Sequence, residues 1–385
     1  MSNPAVAVRR CQDYSYPVVK QIVGTFADEL RGGWRELIPA GATVLLKPNL
    51  LKPAFAHQAV SPHPAVVRAV AECCRDAGAG KIIIGDSPGF GTAEKVAGKC
   101  GIAGIADELG IEVVNFTDSV TVHTPKQFVH RFFTIAREAA EADVIINLPK
   151  FKTHAMMVLT LAVKNLYGVL VGRQKARWHF QSGRDYDHFA RLLLELAHTV
   201  KPAFTVLDAV IGMEGNGPGS GTPRPLGFLA ASVDMTALDR IAADIAGIDP
   251  ESIYTLRVAA KMGYATDLKD ITVLGDPPDS LRIDDLAPAA HMQVDGPAYI
   301  RPLTWLLRHV MTTKPSINAH ACEGCGICIT ACPAHCIVQP LPDLPVKINH
   351  SACIRCFCCQ ELCPEGAISA VDAPGVKILK ALKFE

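Results

Sequence analysis

The chain has little that would commit it to a membrane, to export or to nucleic acid. No run of about 18 apolar residues occurs, so no membrane-spanning helix is expected. The stretch TWLLRHVM, around Trp305, is short and carries Arg308 and His309. No apolar segment follows Arg9 and Arg10, so no signal peptide is expected and the cytoplasm is the expected compartment. Charge of one sign is not in excess, with 38 Lys+Arg against 38 Asp+Glu. Nucleic acid is therefore not an expected partner. Nucleotide signatures are missing too. GMEGNGPGSGTPRPLG, beginning at Gly212, lacks the lysine and spacing of a P-loop, and neither it nor GDSPGFG at Gly85 is a G-x-G-x-x-G fingerprint.

Cysteine, by contrast, is concentrated. Of 14 cysteines, most lie between Cys322 and Cys363. In a reducing compartment such clustering points to metal rather than disulfides. Cys322, Cys325, Cys328 and Cys332-Pro333 follow C-x2-C-x2-C-x3-C-P, and Cys353, Cys356, Cys359 and Cys363-Pro364 repeat it. Two copies in one short segment match the bacterial two-cluster ferredoxin pattern, in which the fourth cysteine of each run serves the other cluster. The expected ligands are Cys322, Cys325, Cys328 and Cys363 for one [4Fe-4S] cluster, and Cys353, Cys356, Cys359 and Cys332 for the other. Cys336 and Cys358 are left over and are expected to pack beside the clusters. Cys358 in place of Cys359 would break both spacings.

The rest of the chain alternates apolar strands with amphipathic helices. ATVLLKPNLL, KIIIGDSPG, IEVVNF, DVIINLPKFKTH and AFTVLDAVIG read as strands. HPAVVRAVAECCRDAGAG, TAEKVAGKCGIAGIADELG, VLTLAVKNLYGVLVG and HFARLLLELAHTVKP read as helices. RPLGFLAASVDMTALDRIAADIAGI reads as a strand followed by a helix. Continuous apolar strands separated by helices predict an α/β fold, a mostly parallel sheet with helices on both faces. A small α+β two-cluster ferredoxin domain follows it. The expected boundaries are 1–312 for the α/β domain, 313–370 for the ferredoxin domain and 371–385 for a tail.

Open parallel sheets bind ligands beyond the carboxyl ends of their strands. The polar residues expected there are Lys47, Asn49, Asp86, Ser87, Lys150, Lys152, His154 and Asp208. His154 reads equally as a hydrogen-bonded structural histidine. Lys164 and Asn165 interrupt an apolar helix, and a buried ammonium needs a partner. That partner is either a carboxylate, Asp86 or Asp208, or an anionic ligand. Glu214 and Asn216 sit in the glycine-rich loop, which either wraps a ligand with backbone N–H groups or is a long turn. Arg173, Lys175, Arg177, His179 and Arg184 form either a lid over an anionic substrate or an exposed loop.

LLKPNLL, GAGKIIIGDSP, ADVIINLPKFKTH, LAVKNLYG and VLDAVIGMEGNGP, followed by the two-cluster tail, resemble the domain of unknown function 362 family. The resemblance runs from about Val44 to Ile368. It implies the fold and the clusters, and it supplies no reaction. The function expected is transfer of low-potential electrons through two [4Fe-4S] clusters to a substrate or cofactor on the α/β domain. Lys47, Asp86, Lys150, Lys152 and Lys164 would then form the catalytic set, and Asn49, His154, Asn165, Asp208, Glu214 and Asn216 the binding set. An anionic small molecule and a redox partner protein are the expected associates, and the sequence identifies no organic cofactor beyond the clusters. The alternatives are a non-catalytic electron carrier or assembly factor whose α/β part docks a partner enzyme, and a ligand-, flavin- or metal-binding body in which the clusters have a structural or sensing role.

Overall fold

Twelve strands in the first 275 residues organise the chain. The computed structural model describes residues 3–290, 312–342 and 344–372. The stretch TWLLRHVM and most of the 371–385 tail lie outside the described residues. In chain order the strands are β1 (Ala5–Arg10), β2 (Thr43–Pro48), β3 (Lys81–Asp86), β4 (Glu112–Asn115), β5 (Ser119–His123), β6 (Phe132–Ala136), β7 (Val144–Leu148), β8 (Lys150–His154), β9 (Val158–Thr160), β10 (Phe204–Glu214), β11 (Thr222–Ser232) and β12 (Thr272–Gly275). The main sheet runs β12-β1-β11-β10-β7-β2-β3-β4, and β8 and β9 extend it beside β10. Pairing is parallel from β10 through β4 and antiparallel where β11 meets β1 and β10. The sheet is therefore mostly parallel, as its continuous apolar strands predict. β5 and β6 form a separate hairpin.

Alternation within each strand builds two cores. Leu45 is in register with Ile83 and Ile145, and all three face one side. Val44 and Leu46 face the other side with Ile84, Val144 and Ile146. The first side is covered by the helices Tyr186–Val200, Met235–Ile245 and Tyr254–Met262, through residues such as Phe189, Leu238 and Leu256. The second is covered by Tyr16–Arg31 and Pro64–Ala77, through Phe26 and Val70. Helix Pro64–Ala77 starts on a proline, whose missing N–H costs nothing there, and stops at Gly78 in the left-handed region.

Three local expectations change. TAEKVAGKCGIAGIADELG is two helices, Ala93–Cys100 and Ile102–Leu109, because Gly101 adopts φ +87° between them. VLTLAVKNLYGVLVG is not one helix. It is β9, a single turn Ala162–Asn165 and a 3-10 turn Leu166–Val169. The buried Asp239 carboxylate accepts the N–H groups of Ala162 and Val163 at 2.7 and 3.1 Å, which fixes the break. The segment read as lid or loop contains a helix, Gln174–Ser182.

The cysteine-rich segment is a small pseudo-symmetric α+β unit. Strand Lys314–Ile317 pairs with Ile368–Val371, and Ile337–Val338 pairs with Lys347–Ile348, both antiparallel. Short helices Ile327–Ala331 and Cys358–Leu362 carry the two cysteine runs. No helix among the described residues is long and apolar enough to cross a membrane.

Candidate functional site

The carboxyl ends of β2, β3 and β7 converge on a polar floor. Lys47 and Asp86, both buried, form an ion pair at 2.9 Å. The Asp86 carboxylate also accepts the N–H groups of Leu50 and Ser87, each at 2.8 Å. The Asn165 amide donates to the Lys47 carbonyl at 3.1 Å and to Asn147 Oδ1 at 2.8 Å. Its own Oδ1 has no hydrogen-bond partner among the described residues. Gly168 passes directly over the pair, where a Cβ would stand 2.1 Å from Asp86 Oδ1.

Above this floor lies a cavity of about 600 Å³, within the size range of small-molecule sites. The sheet body supplies Asn49, Asp86, Ser87, Lys152, His154, Thr160, Lys164, Asn165, Arg173, Lys175 and His179 to its wall. The opposite wall belongs to the cysteine-rich segment and includes Cys325, Ile327, Thr330, Cys358, Glu361 and Leu362. Lys152 is fully buried and donates to the Val60 carbonyl at 2.8 Å. Burial, aided by the neighbouring Lys164 charge, pushes its ammonium down to about 7. Lys175 donates to the Ser87 carbonyl, and burial lowers it to about 8 against the pull of Asp86. Lys164 stands 5.3 Å from the centre of the Tyr167 ring, within cation–π range. Among the described residues it forms no salt bridge.

His154 accepts the N–H groups of Met156 and Met157 at Nδ1, 3.0 and 3.2 Å away. That places its proton on Nε2, and burial keeps the imidazole neutral. Nε2 lies 2.9 Å from Glu361 Oε1 but outside hydrogen-bonding geometry. Burial alone would raise the Glu361 carboxyl; the His154 imidazole beside it and then the Lys164 charge outweigh that and hold the group at about 2. His179 stacks on Phe189 with ring centres 4.4 Å apart. Its Nδ1 has no partner among the described residues, and burial drives it down to about 3.

Several expected site residues lie elsewhere. Lys150 is paired with Asp208 at 2.8 Å, and the Tyr14 hydroxyl bridges both at 2.8 Å. Asp208 also accepts the His63 N–H. This network is buried and satisfied, and neither residue is part of the cavity wall. Asp208 is thus not the partner of Lys164. Lys47 is taken by Asp86 and supports the floor from below. Glu214 accepts the Ala287 N–H at 3.0 Å, and Asn216 binds the cysteine-rich segment instead of a ligand. The Gln360 amide donates to the Asn216 and Gly217 carbonyls at 2.8 and 3.1 Å, and Ala370 N–H donates to Asn216 Oδ1. Glu361, Thr160 and Tyr167 are wall residues that sequence reasoning missed. Glu361 sits inside a cysteine motif where spacing draws all the attention, and His154 is remote from it in sequence.

Each expected cysteine set borders its own small cavity. Cys322, Cys325, Cys328 and Cys363 line one, and Cys332, Cys353, Cys356 and Cys359 line the other together with Cys336. Backbone N–H groups of Ala367 and Arg355 donate to Cys363 and Cys353 Sγ at 3.3 and 3.4 Å. The donor sets therefore fit two cubanes with an exchanged fourth ligand. Cys325, Gly326 and Ile327 line the first of these and the large cavity alike. Cys336 Sγ lies 3.5 Å from Cys332 Sγ, while Cys358 faces the large cavity.

The body grips this segment through backbone carbonyls. Lys52 donates to Cys363 O at 2.6 Å, Arg184 to Cys353 O at 2.6 Å and Tyr186 to Arg355 O at 2.9 Å.

Comparisons with known proteins agree with this division. Residues 44–244 match the family described as Domain of unknown function (DUF362), and residues 314–364 match the 4Fe-4S dicluster domain. The chain is 37% identical over 281 residues to Thylakoid-associated protein sll1697 of Synechocystis sp., covering 73% of this chain and 86% of that protein. It is 38% identical over 72 residues to NADH-quinone oxidoreductase subunit I of Pelobacter propionicus, covering 16% of this chain and 38% of that one. Among solved structures, the lactate racemase apoprotein from Thermoanaerobacterium thermosaccharolyticum is similar at 12% identity and a TM-score of 0.41, over 61% of this chain and 55% of that one. The chain belongs to the domain of unknown function 362 family and carries at its cysteine-rich end an iron–sulfur, electron-carrying domain of the 4Fe-4S dicluster type.

Proposed function

We propose that the protein is a reductase whose acceptor binds in the cavity between the sheet edge and the dicluster segment. The observation that carries this reading is the wall Cys325–Ile327, shared by a four-cysteine cavity and the large cavity. In this reading Cys322, Cys325, Cys328 and Cys363 hold one [4Fe-4S] cluster, and Cys353, Cys356, Cys359 and Cys332 the other. Clusters held there would supply one-electron transfer from an outside low-potential protein donor, so that two electrons and two protons in all would leave the acceptor with two new bonds to hydrogen. Lys152 is the proton donor of choice. It belongs to the cavity wall, and its ammonium is tethered by one carbonyl and sits at about 7, so it gives up a proton near neutrality and regains it from water. The second proton comes from water. Lys164 and Lys175 attract an anionic acceptor, and His154, Asn165 and Thr160 orient it through their free polar atoms.

The test uses anaerobically reconstituted, dithionite-reduced protein mixed with small-molecule fractions of a cell extract. A fraction that reoxidises the clusters, followed by electron paramagnetic resonance, and yields a product two mass units heavier supports the reading. Clusters that stay reduced against every fraction sink it.

A further inference from the structure

The two walls of the cavity differ in chemistry. All four cations, Lys152, Lys164, Arg173 and Lys175, come from the sheet body. The dicluster wall is built from Cys325, Gly326, Ile327, Ala331, Cys358 and Leu362, with Thr330 and Glu361 as its polar members. Glu361 is drawn to the body side by His154. Of the two carboxylates present, Asp86 is already matched by Lys47 and two backbone N–H groups. Glu361 is then the one carboxylate left to face Lys152, Lys164 and Lys175, so the cations of the cavity outnumber it, an arrangement that favours an anion.

Lys164 and Lys175 share the cavity wall, where Lys175 feels the charges of Asp86, Lys47 and, more weakly, Lys164. Both are half-buried, and Arg173 lies exposed beside them. The backbone of Lys175 is held in place as well, since its carbonyl accepts the Tyr167 hydroxyl at 2.7 Å. Two ammonium groups on the same cavity wall match a head with two negative charges better than a single carboxylate. A cavity of about 600 Å³ is also far larger than such a head alone requires. The remaining wall, with Leu50, Leu51, Pro88 and Phe90 opposite the dicluster residues, is apolar.

From this division we infer that the ligand is an organic molecule with a doubly charged oxyanion head on an apolar body, the head on Lys164 and Lys175 and the body against Cys325–Ile327 and Leu362. A phosphate monoester and a vicinal dicarboxylate share this head chemistry. The orientation follows from electrostatics too, because cysteine-ligated clusters are anionic and repel the head. The inference rests on the reductase reading only for the idea that the body is what becomes reduced. Binding itself requires no electron transfer.

The experiment is equilibrium binding to the reconstituted, oxidised full chain at pH 7, where a phosphate monoester is mostly doubly charged and Lys175 keeps its proton. The probes are 1-naphthyl phosphate, naphthalene-2,3-dicarboxylate, 1-naphthol and inorganic phosphate. One of the two dianionic probes should bind at least tenfold more tightly than either naphthol or phosphate, and which one does so identifies the head. Lys164→Gln and Lys175→Gln should each weaken that probe about tenfold and leave naphthol unchanged, with circular dichroism and cluster absorbance intact. The inference is overturned if naphthol or inorganic phosphate binds as tightly as the dianionic probes, if no probe binds, or if both substitutions leave the ratio unaltered. Tight head-dependent binding together with clusters that no extract fraction reoxidises would overturn the reductase reading alone.

Discussion

His154 Nε2 and Glu361 Oε1 stand 2.9 Å apart, joining the end of β8 to the helix that carries the second cysteine run. The contact couples the sheet edge to the dicluster segment at the cavity rim. Glu361→Gln keeps the side chain's shape and removes its charge. It is expected to retain about eight irons per chain and to lose only about 1 kcal/mol, since the neutral imidazole and the carboxylate meet without a well-formed hydrogen bond. Urea unfolding followed at once by cluster absorbance and far-ultraviolet circular dichroism checks this. An unchanged midpoint would show the contact to be idle.

The Lys47–Asp86 pair predicts a larger effect. Lys47→Met strands a buried carboxylate and is expected to cost about 3–5 kcal/mol. Adding Asp86→Asn should restore part of that loss, which a double-mutant cycle reads directly. Gly168→Ala is a third route to the same damage, because its Cβ would stand 2.1 Å from Asp86 Oδ1 and 2.6 Å from Lys47 Nζ. Additive single and double losses would refute the coupling.

Iron content separates the crowded cysteines. Cys358→Ser should leave about eight irons per chain, because Cys358 faces the large cavity rather than the cavity of its own run. Cys336→Ala should also keep both clusters, with the nearby cluster perturbed through Cys332, 3.5 Å away. Cys359→Ser should lose or convert one cluster. Iron quantitation with electron paramagnetic resonance decides, and the reverse pattern for Cys358 and Cys359 would redraw the ligand assignment.

Acid stability tests His179. Its folded value is about 3 against an ordinary 6.5, so the unfolded chain binds a proton over that window and the folded chain does not. Stability from this residue is complete above about 6.5 and falls as pH drops toward 3, by at most about 1.4 kcal/mol per pH unit. His154 and His63 are also lowered by burial and add to the wild-type slope. The relevant quantity is therefore the difference from His179→Gln, whose denaturation midpoints should decline less steeply between pH 6.5 and 4. Parallel declines would count against a buried neutral imidazole.

How far the sequence could be read depended on the range of the interaction. The cysteine spacing is local, and each set of four that it groups borders one small cavity, with Cys336 joining the second. The parallel sheet is legible because Leu45, Ile83 and Ile145 sit in continuous apolar runs. The fate of the lysines was not legible. Lys47, Lys150, Lys152 and Lys164 look equivalent as charges beside apolar runs. Only the fold shows that Asp86 and Asp208 claim two of them and leave the other two facing a cavity. The helical reading of VLTLAVKNLYGVLVG failed for a similar reason, since Asp239, far along the chain, captures two N–H groups at its centre.

The grip of Gln360 on the Asn216 and Gly217 carbonyls has a consequence for modularity. A generic two-cluster ferredoxin grafted in place of residues 312–372 could preserve every metal-binding cysteine and still fail here. Nothing in the cluster chemistry requires it to carry Gln360 or Glu361, and Gly219 packs so closely on the Glu361 carbonyl that a Cβ would come within 2.4 Å of it. The electron-carrying end of this chain is therefore a fitted part rather than an interchangeable one, and its distance to the cavity is fixed when the chain folds.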